Sequence, residues 1–86
     1  MTEQKLRERL NKHCAVSYRY KNGELAGLVN TWFYQDHFVL TWEECKDGDQ
    51  YNEDNYTRDD VLNFPDVDAL FDYLRASGVE LALFSP

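Results

Sequence analysis

Apolar residues recur along the chain in two periods, and the change of period marks out the elements. From Glu3 to Lys12 the apolar positions are Leu6 and Leu10, with Lys5, Arg7, Arg9 and Lys12 on the remaining faces. The four-residue spacing predicts a helix over 3–12. Thr2 is its expected N-cap, because a hydroxyl there accepts from an orphan backbone N–H. Two leucines make too thin a stripe to hold an isolated helix, so this one must dock. From Cys14 to Cys45 the period falls to two, and β-branched and aromatic residues become frequent. Strands are predicted over 14–20, 25–34 and 37–45. Asn22-Gly23 separates the first two and is a hairpin dipeptide, since both residues tolerate positive φ. Gln35-Asp36 is a weaker turn between the second and third.

The turns imply a register. A two-residue loop at Asn22-Gly23 sets Tyr20 against Leu25, Tyr18 against Gly27 and Val16 against Val29. A two-residue loop at Gln35-Asp36 sets Phe33 against Phe38, Thr31 against Leu40 and Val29 against Trp42. Facing residues share a side of the sheet. One side then collects Cys14, Val16, Tyr18, Tyr20, Val29, Thr31, Phe33, Phe38, Leu40 and Trp42, which is a core face. The other collects Ala15, Ser17, Arg19, Leu28, Asn30, Trp32, Tyr34, Val39, Thr41 and Glu43, a mixed and partly wet face. A one-residue slip would scramble this separation.

Residues 46–60 are polar and acidic, broken by Gly48, Asn52 and Asn55, and read as a loop. A short fourth strand over about 55–64 would be anchored by Val61, Leu62 and Phe64. Val67, Leu70, Phe71 and Leu74 fit one face of a helix over 66–77. Asp66 and Asp68 fall at its positive end, Arg75 near its negative end, and Gly78 at the residue after it. Residues 79–86 are a docked tail or a last short strand. The expected fold class is α+β. It is a single two-layer sandwich in which a three- to four-stranded antiparallel meander carries the N-terminal and C-terminal helices on one face.

Composition narrows the function classes. With 86 residues there is room for one small domain, and a deep substrate pocket is not expected in so short a chain. A composition 43% hydrophobic and 15% aromatic is too apolar for a disordered tail. No apolar run approaches the roughly 20 residues of a membrane span, and the charged first residues do not read as a signal peptide. Two cysteines make no disulfide framework, so a cytoplasmic, reducing location is expected.

Candidate chemistry is sparse. His13, Cys14, Asp36 and His37 fall at one end of the predicted sheet, but none shows zinc-ligand spacing. Cys14 and Cys45 fall at opposite ends, about 20 Å apart along seven strand residues, which excludes a bridge between them. Asp47-Gly48-Asp49 fails as a calcium loop, because Tyr51 and Asn52 occupy the fifth and sixth positions counted from Asp47. Glu43 and Glu44 are adjacent in a strand and point to opposite faces, so they cannot flank one bond. The glycines at 23, 27, 48 and 78 form no phosphate loop. A non-catalytic protein without cofactor or metal is expected.

The charge layout is the strongest signal. The formal net charge is −7. Residues 1–21 hold six bases and two acids, a balance of +4, whereas residues 22–86 hold 14 acids and three bases, a balance of −11. Residues 43–60 alone contribute −6. Direct nucleic-acid binding is disfavoured, since phosphate contacts need Lys and Arg. A protein partner with a basic surface is expected at Glu43, Asp47, Asp49, Glu53, Asp54, Asp59 and Asp60. Spaced carboxylates there imitate a row of phosphates, as an inhibitor of a nucleic-acid-binding protein would. The plain alternative is a surface that serves solubility. A second candidate surface is the mixed sheet face, with Arg19, Asn30, Trp32, Tyr34 and Val39. It suits a peptide or a homodimer, unless the tail or the 46–60 loop covers Trp32. The order α-β-β-β-α is similar to that of double-stranded-RNA-binding domains and of some small acidic phage inhibitors of bacterial defence. The similarity is one of element order alone. Arg75 stands alone where the RNA-binding domains carry a basic cluster at their second helix.

Overall fold

The computed structural model describes residues 1–86. The first helix, α1 (Glu3–Asn11), starts at Thr2, whose hydroxyl accepts from the Lys5 N–H at 3.2 Å. It ends in a Schellman turn. The His13 N–H reaches the Leu10 carbonyl, the Cys14 N–H reaches the Arg9 carbonyl, and His13 takes φ 62°. The second helix, α2 (Val67–Ala76), repeats both devices. Asp66 accepts from the Ala69 N–H at 2.8 Å, and Gly78 at φ 81° closes the equivalent turn, with the Val79 N–H on the Leu74 carbonyl. Glycine enters this region freely, whereas His13 enters it with a β-carbon. The His13 ring stacks on Phe33 with centroids 3.8 Å apart.

Four strands, β1 (Val16–Asn22), β2 (Leu25–Tyr34), β3 (His37–Lys46) and β4 (Arg58–Phe64), form one antiparallel meander in that order. The strand predicted over 14–20 starts later, because Cys14 belongs to the turn that ends α1. It also runs further. Asn22 faces Leu25, so the hairpin loop is Gly23-Glu24 and not Asn22-Gly23. Gly23, at φ 64°, holds the first loop position, where a type II′ hairpin takes glycine. The pairs become Tyr20–Gly27, Tyr18–Val29 and Val16–Thr31. A shift of two residues keeps each side chain on its expected face. The second hairpin has the expected register, with Phe33 against Phe38 and Thr31 against Leu40.

Between β3 and β4 the acidic segment is held by its own hydrogen bonds. Thr57 anchors it on the Glu44 carbonyl through its N–H at 2.8 Å and its hydroxyl at 3.1 Å, and Glu53–Asn55 form a 3₁₀ turn. β4 is a full edge strand that pairs Leu62 with Leu40 and Phe64 with Phe38.

Both helices cover one side of the sheet. Leu6 and Leu10 of α1 join Val67, Leu70, Phe71 and Leu74 of α2 in one buried cluster with Val16, Val29, Leu40 and Trp42. Arg7 of α1 pairs with Asp68 of α2 at 2.8 Å, and Glu3 of α1 pairs with Arg75 of α2, so ion pairs of both senses join the two helices. The tail follows the same side. A 3₁₀ turn at Leu81–Leu83 delivers Phe84 into the core beside Tyr18, and Ser85 bridges Ser17 on the free edge of β1. Thr31 is the one polar side chain buried on the core face, and its hydroxyl has no partner. No helix is long and apolar enough to cross a membrane.

Candidate functional site

The side of the sheet away from the helices is laid out in cross-strand rows. Arg19, Leu28, Glu43 and Asp59 form one row. Ser17, Asn30, Thr41 and Val61 form the next, followed by Trp32, Val39 and Asn63. The five residues predicted for this face, Arg19, Asn30, Trp32, Tyr34 and Val39, therefore do lie on it together. Val39 needs correcting as a contact residue, because between Trp32 and Asn63 it keeps only 8% of its surface exposed. Val61, at 65%, and Tyr34, at 54%, are the exposed apolar groups of the face. The tail turns Phe84 into the core on the helix side and pairs Ser85 with Ser17 at the β1 edge. The acidic loop folds against Cys45, whose partner Ala26 lies six residues along β2 from Trp32, about 20 Å away. Trp32 is half-buried, at the end of the sheet away from the acidic loop.

The seven predicted acids do not form one surface. Glu43 and Asp59 face each other directly across β3 and β4, on the outer side, and neither has an ion-pair partner. Asp47 is taken by Lys21 at 2.8 Å, a pairing that holds its carboxyl below the usual range and the Lys21 ammonium above it. Asp60 lies on the helix side and is taken by Arg58 at 2.6 Å. Glu53 and Asp54 sit on the exposed 3₁₀ turn. Alternation along β4 separates Asp59 from Asp60, which no charge count along the chain reveals.

Next to the Glu43–Asp59 pair is a hollow of about 180 Å³ between the sheet and the loop. Ala26 and Leu28 line it with Glu43, Cys45, Gln50 and Tyr56, and Arg19 is the one cation there. Tyr56 is held by a hydrogen bond from its hydroxyl to the Gln50 carbonyl at 2.5 Å. Burial raises the Tyr56 phenol above its usual range, and the charges of Glu43, Glu53 and Asp59 add to the effect. Burial also raises the Cys45 thiol, with Asp49, Asp47, Glu43 and Glu44 pushing the same way. A thiol so placed stays protonated and is a poor nucleophile. Both cysteines are free.

At the far end of the sheet, Asp36 accepts from His37 Nδ1 at 3.1 Å, which lowers the Asp36 carboxyl. His13 lies instead against Phe33. No group of three or more His, Cys, Asp or Glu side chains converges as a metal site would require.

A second cluster lies on the helix side, and of its residues only Asp60 is among the candidates the sequence pointed to. Tyr20, Gly27, Glu44 and Arg58 form one row, and Tyr18, Val29, Trp42 and Asp60 the next. A β-carbon at Gly27 would fall 2.0 Å from the Tyr20 ring, so the ring lies flat over the glycine. Trp42 Nε1 donates to the Tyr20 hydroxyl at 3.0 Å, and that hydroxyl donates to Glu44 Oε2 at 2.7 Å. Burial raises the Tyr20 phenol, and the negative Glu44 beside it adds to the rise against the opposing Trp42 bond. The available signal was the glycine in β2, which marks a close approach. The expected register placed Tyr18 there instead of Tyr20 and hid the row.

Comparison of the chain with protein-family models, with curated proteins and with solved structures finds no match.

Proposed function

We infer that this chain is a small non-catalytic protein-binding module whose outer sheet face docks on a basic surface of a partner protein. The observation that carries the reading is the pair Glu43–Asp59, set opposite each other with neither in an ion pair. Like charges facing across a strand pair are destabilising, by roughly 0.2–1 kcal/mol. A lysine or arginine from a partner would relieve that repulsion, so the arrangement favours a bound state. Val61 and Tyr34 supply exposed apolar surface on the same face. Asp49 and Glu53 extend the negative field toward the loop. Occupation of a nucleic-acid-binding surface, with these carboxylates in place of phosphates, is the form of inhibition that this charge pattern suits. Direct nucleic-acid binding there would bring phosphate onto Glu43 and Asp59 and is disfavoured. The role needs no cofactor, and a reducing, cytoplasmic compartment suits the two free thiols.

The test is capture of partners from the host extract followed by salt titration of the complex. Affinity should fall steeply as salt rises, and the double variant Glu43→Lys/Asp59→Lys should lose the complex, while Glu80→Gln, an exposed acid elsewhere, keeps it. Affinity indifferent to salt and to the charge reversal would remove the reading. The exposed Val61 and Tyr34 favour a second reading, self-association through the same face. Sedimentation of the wild type beside Trp32→Ala decides it: a monomer in both counts against a dimer.

A further inference from the structure

The cluster on the helix side borders a hollow of about 300 Å³, lined by Tyr18, Tyr20, Trp42 and Glu44, with Ser77 and Gly78 on its rim. We propose that this hollow is a binding site for a quaternary ammonium group. It stands independently of the outer-face reading.

Most features that border the hollow favour positive charge; Asn22 and Val79, which also line it, are neutral, and Arg58, opposite Glu44 in its row, is the one cation close by. The wall is aromatic, with Tyr18 and Tyr20 centroids 5.7 Å apart and Tyr20 and Trp42 6.5 Å apart at an interplanar angle of 80°. Ring faces attract cations through their quadrupole. Glu44 adds a carboxylate whose Oε2 is fixed by the Tyr20 hydroxyl, while its Oε1 has no hydrogen bond or ion pair. Ser77 and Gly78 follow the last turn of α2, whose final carbonyls carry the negative end of the helix dipole. The chain already uses this preference once. The Arg58 guanidinium stacks over the Trp42 ring, 3.5 Å from its centroid, and is held there by Asp60 and the Tyr73 hydroxyl.

The lining also selects among cations. A primary ammonium brings three N–H donors and a firm hydration shell. The hollow meets these donors on one side, at Glu44 Oε1, Asn22 and Ser77, but at the ring wall an ammonium would give up its water with no acceptor to replace it. A quaternary ammonium has no N–H to satisfy and gives up its water readily, which is why aromatic walls bind it. The site is preorganised as well. Tyr20 is seated by Gly27 and pinned on both sides by Trp42 and Glu44, so little ordering remains for the ligand to induce.

The experiment is a ¹H–¹⁵N titration of the full chain with tetramethylammonium chloride, with ammonium chloride at equal ionic strength as control. The two indole N–H signals, Trp42 and Trp32, report the two sides of the sheet separately. The proposal requires a saturable shift at Trp42 with tetramethylammonium, weaker by severalfold with ammonium, and none at Trp32. Tyr18→Leu and Glu44→Gln should each weaken the binding about threefold, the scale of one exposed cation–π contact, while Tyr18→Phe keeps it. The spectrum of each variant shows directly that it is folded. Choline and a trimethyl-lysine peptide, titrated in parallel, distinguish a free small molecule from a modified protein tail by which binds more tightly. Shifts that rise linearly, that are equal for ammonium, or that survive Tyr18→Leu unchanged would overturn the proposal.

Discussion

Adjacent residues of the same four strands build two unlike surfaces. Toward the helices, the row Val16, Thr31 and Leu40 is buried, with Leu40 fully enclosed and Leu62 half-buried at its end. One residue along, the row Ser17, Asn30, Thr41 and Val61 faces away from the helices, and Val61 is 65% exposed. The contrast recurs among the charges. On the helix side Asp60 is bound by Arg58 and Glu44 accepts from Tyr20, whereas on the outer side Glu43 faces Asp59 with nothing between them. Stability is built into the first face, and the second retains charges that the fold leaves unpaired.

The largest effect that separates the faces comes from truncation. Leu40→Ala should cost about 3 kcal/mol, since it opens a cavity in an enclosed core. Val61→Ser should stay within about 0.5 kcal/mol, as substitutions at exposed positions do. Urea unfolding of both variants measures the difference. Comparable losses would mean that the outer face is also structural.

Gly27→Ala sharpens the comparison on the helix side. Its methyl would enter the Tyr20 ring, so the ring must leave its seat, at a cost of about 1–3 kcal/mol. Near-ultraviolet circular dichroism should change with it, because Trp42 loses its acceptor. A spectrum and stability like the wild type would show that Tyr20 does not depend on that glycine.

The two faces differ in how much of them the sequence made legible. Period-two alternation assigned the side of the sheet for Arg19, Trp32, Val39, Leu40 and Trp42 without any knowledge of packing. The hairpin dipeptide suggested the first turn, but the loop is Gly23-Glu24, one residue later. Because the side-chain period is two, the resulting two-residue shift left the faces intact and moved only the partners. That is why the core was readable and the Tyr20–Gly27–Glu44 row was not. The acidic surface was readable as composition alone. Which acids remain free depends on Lys21 reaching Asp47 and Arg58 reaching Asp60, contacts set by the folded loop and by β4.

Smaller effects test the faces more finely. Thr31→Val should stabilise by about 1 kcal/mol, because it replaces a buried hydroxyl without a partner by a methyl of similar shape. A loss in chemical unfolding would mean that the hydroxyl is satisfied in solution. Asp59→Asn should stabilise by a few tenths of a kcal/mol at low salt by relieving Glu43, and the gain should fade as salt screens the pair. A gain that persists at high salt would have another origin.

The central claim is that the free acids of the outer face, and not those of α2, form the binding surface. Titration of the ¹⁵N-labelled protein with an arginine-rich peptide, at low and then high salt, tests it most directly. Asp66, Asp68 and Asp72 on and beside α2 offer the peptide a competing acidic surface. The account predicts shifts concentrated on Leu28, Glu43, Asp59 and Val61 that collapse as salt rises. Shifts concentrated on α2, or insensitive to salt, would contradict it.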